Sequence, residues 1–192
     1  MLMRSVFQRS TELHNGQWNK TAQGSKEVRG KKLGIVGYGN IGKQLSILAE
    51  ALGIHVFYYD IEDKLALGNA TKVSDLSELL AISDVVTLHI DDNPANKNFF
   101  GKKEISQMKE GAVLVNLSRG FVVDILALKE ALESGKVSGA AVDVYPEEPA
   151  KNGEFITQLK GLNNVILTPH VGGSTEEAQK DIVDFVPNKM MA

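Results

Sequence analysis

The chain of 192 residues contains no cysteine. Disulfides, thiolate metal sites and cysteine nucleophiles are excluded together, and a reducing, cytoplasmic setting is the plain expectation. No stretch approaches the roughly 18 consecutive apolar residues that mark a membrane span, and residues 1–9 hold no sustained apolar segment of an export signal. A membrane is therefore not an expected partner. Charge of one sign is missing too. The 21 Lys and Arg against 24 Asp and Glu leave a net charge of -3, with no basic stripe to hold a phosphate backbone. Neither nucleic acid nor a metal ion is expected. What remains is a chain that is 43% hydrophobic and of a length suited to one sizeable core.

Residues 32–36, 55–59, 84–89, 112–116, 137–144 and 164–168 are short runs rich in Val, Ile and Leu, each followed by turn residues. Between them apolar residues recur at helical spacing, as in Ile41, Leu45, Leu48 and Leu52, and in Ile125, Leu128 and Leu132 after Asp124. Strands that are apolar throughout suit a parallel sheet covered on both faces, where neither face meets water. The expected fold is α/β, a doubly wound parallel sheet of the Rossmann type, with its six strands in the order 3-2-1-4-5-6. Residues 1–30 read as a helix over 1–9 followed by a polar connector that carries the single Trp18, and 31–178 read as the nucleotide domain. Ser174, with Glu177 three residues later, predicts a capped helix start, and Pro187 a kink or end to that helix.

Gly37-Tyr38-Gly39-Asn40-Ile41-Gly42 sits between the first strand and the first helix of this pattern. There the first glycine permits a tight turn, the second lets a pyrophosphate approach the backbone, and the third lets helix and strand pack closely. The helix start adds free N–H groups and its positive dipole end. Asp60 ends the second strand, eighteen positions after Gly42. A carboxylate there accepts ribose hydroxyls and repels a 2′-phosphate, and Ile61-Glu62-Asp63 supplies no arginine to neutralise one. NAD rather than NADP is the expected cofactor. His89, also ending a strand, is expected beside the adenosine.

Three further segments complete a resemblance. Ser118-Arg119-Gly120 with Val122-Val123-Asp124, Asp143-Val144-Tyr145 with Glu148-Pro149, and Thr168-Pro169-His170-Val171-Gly172-Gly173 resemble the spaced signatures of the D-2-hydroxyacid dehydrogenases, from about Gly16 to about Ala178. Gly68-Asn69-Ala70-Thr71 and residues 104–109 look most like the branch acting on 3-phospho-D-glycerate on the way to serine. The resemblance implies that His170 is the base for the hydroxyl proton, Glu148 the group that orients it, and Arg119 the clamp on the substrate carboxylate. It implies that Asp143 accepts from the nicotinamide carboxamide, and that Leu117, Ser118, Arg119, His170, Gly172 and Gly173 line the cofactor.

The same resemblance implies a substrate domain largely preceding this segment, with residues 179–192 leading back to it. Residues 1–192 alone are then expected to hold NAD without turning substrate over. The chain departs from the family in lacking a proline near Asp91. Family members pair through their cofactor domains, so a homo-oligomer is expected, with Trp18 a possible anchor. The alternative is an NAD-sensing, dimerising module akin to the co-repressor relatives of these enzymes.

Overall fold

A computed structural model describes residues 1–181. Seven parallel strands form one sheet in the order β3-β2-β1-β4-β5-β6-β7: β1 (Lys32–Val36), β2 (His55–Tyr59), β3 (Thr71–Lys72), β4 (Val85–Leu88), β5 (Ala112–Asn116), β6 (Val137–Val142) and β7 (Val165–Leu167). The doubly wound arrangement is the expected one, with one correction. The third place in the order belongs to the two-residue β3, which has no apolar run to announce it, so the strand within 84–89 lies at the centre of the sheet beside β1.

Alternation along β1 shows how the sheet is covered. Leu33 and Ile35 face α2 (Asn40–Ala51) and join Val56, Tyr58 and Ala49 in one core. Val36 faces the opposite way, into a larger core filled from α3 (Leu76–Ile82), α4 (Lys102–Gln107) and α5 (Ile125–Ser134). Ile35, Val86, Leu88, Leu114 and Ala140 are fully buried, as strands covered on both faces must be. Asp124 caps α5, its carboxylate accepting from the amides of Leu126 and Ala127, and Gly135 ends the helix in a left-handed conformation.

Helical spacing identified α2 and α5 but only in α5 does the apolar stripe face inward. Leu128 and Leu132 are buried, whereas Ile41, Leu48 and Leu52 are 68%, 64% and 60% exposed. In α2 only Leu45 of the stripe packs against the core, and the buried positions are the small Gly42, Ser46 and Ala49, which let the helix lie close over β1 and β2. At the amino end the expected single helix is broken. A 3-10 turn, Leu2–Arg4, is followed by Ser5 at φ 50 and by α1 (Val6–His14). The connector folds back on α1 through Arg9, whose guanidinium donates to the Asn19 carbonyl and the Ser25 hydroxyl, and it leaves Trp18 80% exposed. The last helical segment begins at residue 176, and its cap is Thr175, which accepts from the Ala178 amide. Ser174 instead donates to the His170 carbonyl, so the cap expected at Ser174 lies one residue further on. Pro187 lies outside the described residues.

Truncating a fully buried side chain removes packing and leaves a cavity, so Leu128→Ala is expected to cost about 2–5 kcal/mol. Leu48→Gln on the exposed side of α2 is expected to stay within about 0.5 kcal/mol. Urea denaturation of the two variants checks the assignment of faces.

Candidate functional site

Parallel strands place all their carboxyl ends on one edge, and the residues singled out in the sequence collect there. Gly37 follows β1, Asp60 follows β2, His89 follows β4, Leu117 to Arg119 follow β5, Asp143 follows β6 and His170 lies three residues beyond β7. Two groups result. One surrounds a cavity between the ends of β1, β2 and β4, and the other lies further along the edge, over β5 to β7.

The first group is built on the glycine loop. Gly37 has φ +92, and a Cβ on it would lie 2.3 Å from the His89 carbonyl oxygen, so only glycine fits the turn. A Cβ on Gly42 would lie 2.5 Å from the Gly37 carbonyl oxygen, which is why α2 can start so close to the loop. Gly39 differs from both: nothing lies within 4 Å of its missing Cβ. Gly39 also caps α2 without a side chain, leaving the first-turn amides of exposed Asn40 and Ile41 without a side-chain acceptor. An open approach to uncapped amides at a helix start is what a dinucleotide pyrophosphate requires.

Asp60 stands at the mouth of a cavity of about 270 Å³ lined also by Gly37, Gly39 and His89. One carboxylate oxygen accepts from the Tyr38 amide at 2.7 Å and the other from the Glu62 amide at 2.9 Å. Each oxygen keeps capacity to accept a ribose hydroxyl. The Tyr38 ring is fully buried beneath the loop, so its amide alone faces the site. His89 bonds through its ring to the Thr87 hydroxyl at 3.1 Å, and burial holds its imidazole below the usual range, hence neutral. Lys64, Asn96 and Phe99 also line this cavity. Sequence reading missed them, since they belong to no motif and only the paths of two loops bring them in.

The second group is positioned by side chains that carry no chemistry of their own. Asn116, 1% exposed at the end of β5, accepts from the Ser118 hydroxyl at 2.9 Å and donates to the Arg119 carbonyl at 3.0 Å. Gly120 then packs so closely on Tyr145 that a Cβ would overlap its backbone at 1.9 Å. Between these constraints Arg119 projects outward, its Nε 3.5 Å from an Asp92 oxygen, while Leu117 stays half-exposed on the rim.

Asp143, 3% exposed, accepts three hydrogen bonds: from the Thr168 hydroxyl at 2.5 Å, the Val171 amide at 3.0 Å and the Gly172 amide at 2.9 Å. Gly173, beyond them, is open on all sides. These bonds clamp a turn in which His170 takes the left-handed conformation at φ 54. His170 Nδ1 lies 2.8 Å from Glu148 Oε2, and the other Glu148 oxygen accepts from the Tyr145 amide at 2.9 Å. An ionised carboxylate only accepts, so Nδ1 carries the hydrogen in this contact, and the His170 side chain is half-exposed.

Burial pushes the Glu148 carboxyl up, but hydrogen bonds from His170 and the Tyr145 amide outweigh this and leave it below the ordinary range. Asp143 follows the same pattern, with burial outweighed by the donors from Thr168, Val171 and Gly172. A carboxyl depressed in the folded chain binds fewer protons than its unfolded counterpart as the pH drops below about 4. The stability it contributes above that pH is lost as the pH falls through the lowered value. The melting temperature of the parent chain is therefore expected to decline more steeply in that window than that of Asp143→Asn, as followed by circular dichroism. Parallel declines would count against the three-donor clamp.

Residues 1–172 match the D-isomer specific 2-hydroxyacid dehydrogenase, NAD binding domain, family. The chain is 59% identical over all its 192 residues to a D-3-phosphoglycerate dehydrogenase of Haemophilus influenzae, of which it covers 47%. It thus spans about half the length of the curated relatives it matches. Among solved structures, a glyoxylate reductase from Paecilomyes thermophila superposes with a TM-score of 0.88 at 34% identity, over 99% of this chain and 57% of that one. A D-lactate dehydrogenase with NAD+ from Lactobacillus jensenii gives 0.88 at 26% identity, over 100% and 61%. A family match over most of the chain and relatives identical at more than half of its positions agree, and the chain belongs to the D-isomer specific 2-hydroxyacid dehydrogenase family.

Proposed function

We propose that the whole protein oxidises 3-phospho-D-glycerate to 3-phosphohydroxypyruvate, at the start of a serine-forming route. The observation that carries the chemistry is the 2.8 Å contact between Glu148 and Nδ1 of the half-exposed His170, which occupies one ring nitrogen and leaves Nε2 for a substrate proton. NAD, when bound, supplies the acceptor for the hydride that leaves C2 of the substrate. His170 Nε2 takes the hydroxyl proton as the C2–O bond becomes a carbonyl. Glu148 holds the ring in the required tautomer and stabilises the imidazolium. Arg119 exchanges its pairing with Asp92 for a bidentate grip on the substrate carboxylate, which a lysine could not reproduce. Asp60 receives the adenosine ribose, and Asp143, whose Oδ2 accepts a single hydrogen bond, receives the nicotinamide carboxamide while clamping the His170 turn.

The choice of 3-phospho-D-glycerate rests on the D-3-phosphoglycerate dehydrogenases among the curated relatives, 54–59% identical to this chain. The proposed setting is the cytoplasm. It is supported by the lack of cysteine and, among the described residues, of any helix long and apolar enough to cross a membrane. A homodimer is proposed through α1 and the connector. Helix α1 has no buried residue and carries Phe7 and Leu13 half-exposed, and the connector after it leaves Trp18 exposed. Those side chains suit a second copy as their cover.

In the whole protein, NAD reduction dependent on 3-phospho-D-glycerate is expected. His170→Asn should lower kcat by at least about 100-fold while NADH still binds. NADH binding without turnover in the parent protein would overturn the enzyme reading in favour of an NAD-sensing binding module. Sedimentation of residues 1–192 is expected to show a dimer that Trp18→Ala weakens. A parent chain that stays monomeric at high micromolar concentration would remove the pairing.

A further inference from the structure

The stretch between Asp60 and Thr71 contains no helix or strand, yet it forms one wall of the cavity at the end of β2. It is held by two buried tyrosines. Tyr38, the second residue of the glycine loop, and Tyr58, on β2, are 0% and 1% exposed and stack with ring centroids 3.8 Å apart and an interplanar angle of 17°. Filling that space calls for two apolar rings, and phenylalanines would serve. The hydroxyls are the feature that packing leaves unexplained.

Each hydroxyl takes hold of the loop. Tyr58 OH donates to the Lys64 carbonyl at 2.8 Å, and Tyr38 OH accepts from the Leu67 amide at 3.2 Å. The Tyr38 contact continues inward. The Ser46 hydroxyl donates to the Lys43 carbonyl at 2.7 Å, so in its 2.7 Å contact with Tyr38 the tyrosine is the donor. A chain of donors thus runs from the Leu67 amide through Tyr38 and Ser46 to Lys43, in the first turn of α2. That turn is the one whose uncapped amides face the phosphate position. Buried hydroxyl chains of this kind polarise one another and fix one arrangement. Glu50 of the same helix adds a third hold, accepting from the Asn69 amide at 3.0 Å.

We propose that Tyr38 and Tyr58 are positioning residues for the dinucleotide, locking the adenosine-side loop 61–67 to the phosphate-binding turn so that both halves of the subsite stand ready before the nucleotide arrives. The proposal rests on the nucleotide reading of the cavity between Gly37, Asp60 and His89. Neither tyrosine lines the cavity itself. Tyr58 acts through Lys64, which lines the cavity and pairs with Glu62, and Tyr38 acts through Leu67 further along the same loop. The benefit is pre-organisation, since a loop already ordered loses no freedom on binding.

The test is a comparison of NADH and ADP-ribose binding by calorimetry in the parent chain, Tyr58→Phe and Tyr38→Phe. Each variant keeps the stacked ring and deletes one hydroxyl. In each, both ligands are expected to weaken by the same factor, roughly fivefold, the scale of one net hydrogen bond. The equality matters because ADP-ribose lacks the nicotinamide, so a defect confined to the adenosine end moves both ligands alike. If Tyr38→Phe does not fold, Ser46→Ala breaks the same chain from the helix side and carries the same expectation. A purely structural role would lower the melting temperature and leave both dissociation constants unchanged, which would overturn the proposal. A loss for NADH without one for ADP-ribose would overturn it too. Failure of the parent chain to bind NADH at all would instead remove the nucleotide reading itself, and this inference with it.

Discussion

The position of β1 between β2 and β4 is the constraint from which the site follows. The chain fills the sheet outward from β1 to β3, then crosses back and continues from β4 to β7, so the connections after β1 and β4 leave toward opposite faces. A crevice opens where they part, and its floor is backbone. The Gly37 amide donates to the Tyr59 carbonyl at 2.9 Å, and the His89 amide to the Val36 carbonyl at 2.8 Å. Three strand ends are thereby tied within one hydrogen-bond network. The steric demand on Gly37 is set by the His89 carbonyl, a residue more than fifty positions away. Glycine at that position is thus imposed by the crossing of two strand ends as well as by the turn.

The two groups on the edge share a way of being held. Asp60 accepts from the amide of Tyr38 in the glycine loop and from that of Glu62, two residues after the aspartate, and Asp143 accepts from the turn that follows β7. Each is a carboxylate at a strand end that organises a loop through main-chain donors, so loops without regular structure inherit the rigidity of the sheet. Between them Asn116 does the same for Ser118 and Arg119 with an uncharged amide. Among the described residues no buried side-chain nitrogen or oxygen lacks a partner, in keeping with an edge whose polar groups are organised before any ligand arrives.

Much of this was legible in the sequence, for identifiable reasons. Long buried strands are legible because burial on both faces leaves an unbroken apolar run, and β1, β2 and β5 have the bounds expected of them. Thr71 and Lys72 left no such trace, being two exposed polar residues, and missing them moved 84–89 to the wrong place in the strand order. The apolar spacing in α2 misled in a second way. Periodicity shows that a helix has an apolar side but not that this side is packed, and here small residues do the packing. Asp60, Arg119, Glu148 and His170 were legible because each falls in a recognisable segment after a predicted strand. The parts played by Asn116, Thr168 and the tyrosine hydroxyls were not, since a hydrogen bond to backbone leaves no period and no motif.

The clamp on the His170 turn has a consequence for how such a chain tolerates change. The imidazole is registered to β6 through Asp143, and to the segment after β6 through Glu148, rather than to the helical segment that begins at residue 176. Insertions, grafts or exchanges with a relative placed beyond Gly173 therefore leave the His170 imidazole where the sheet puts it. The sheet and whatever follows the turn can diverge as separate modules, joined at a point that is already anchored.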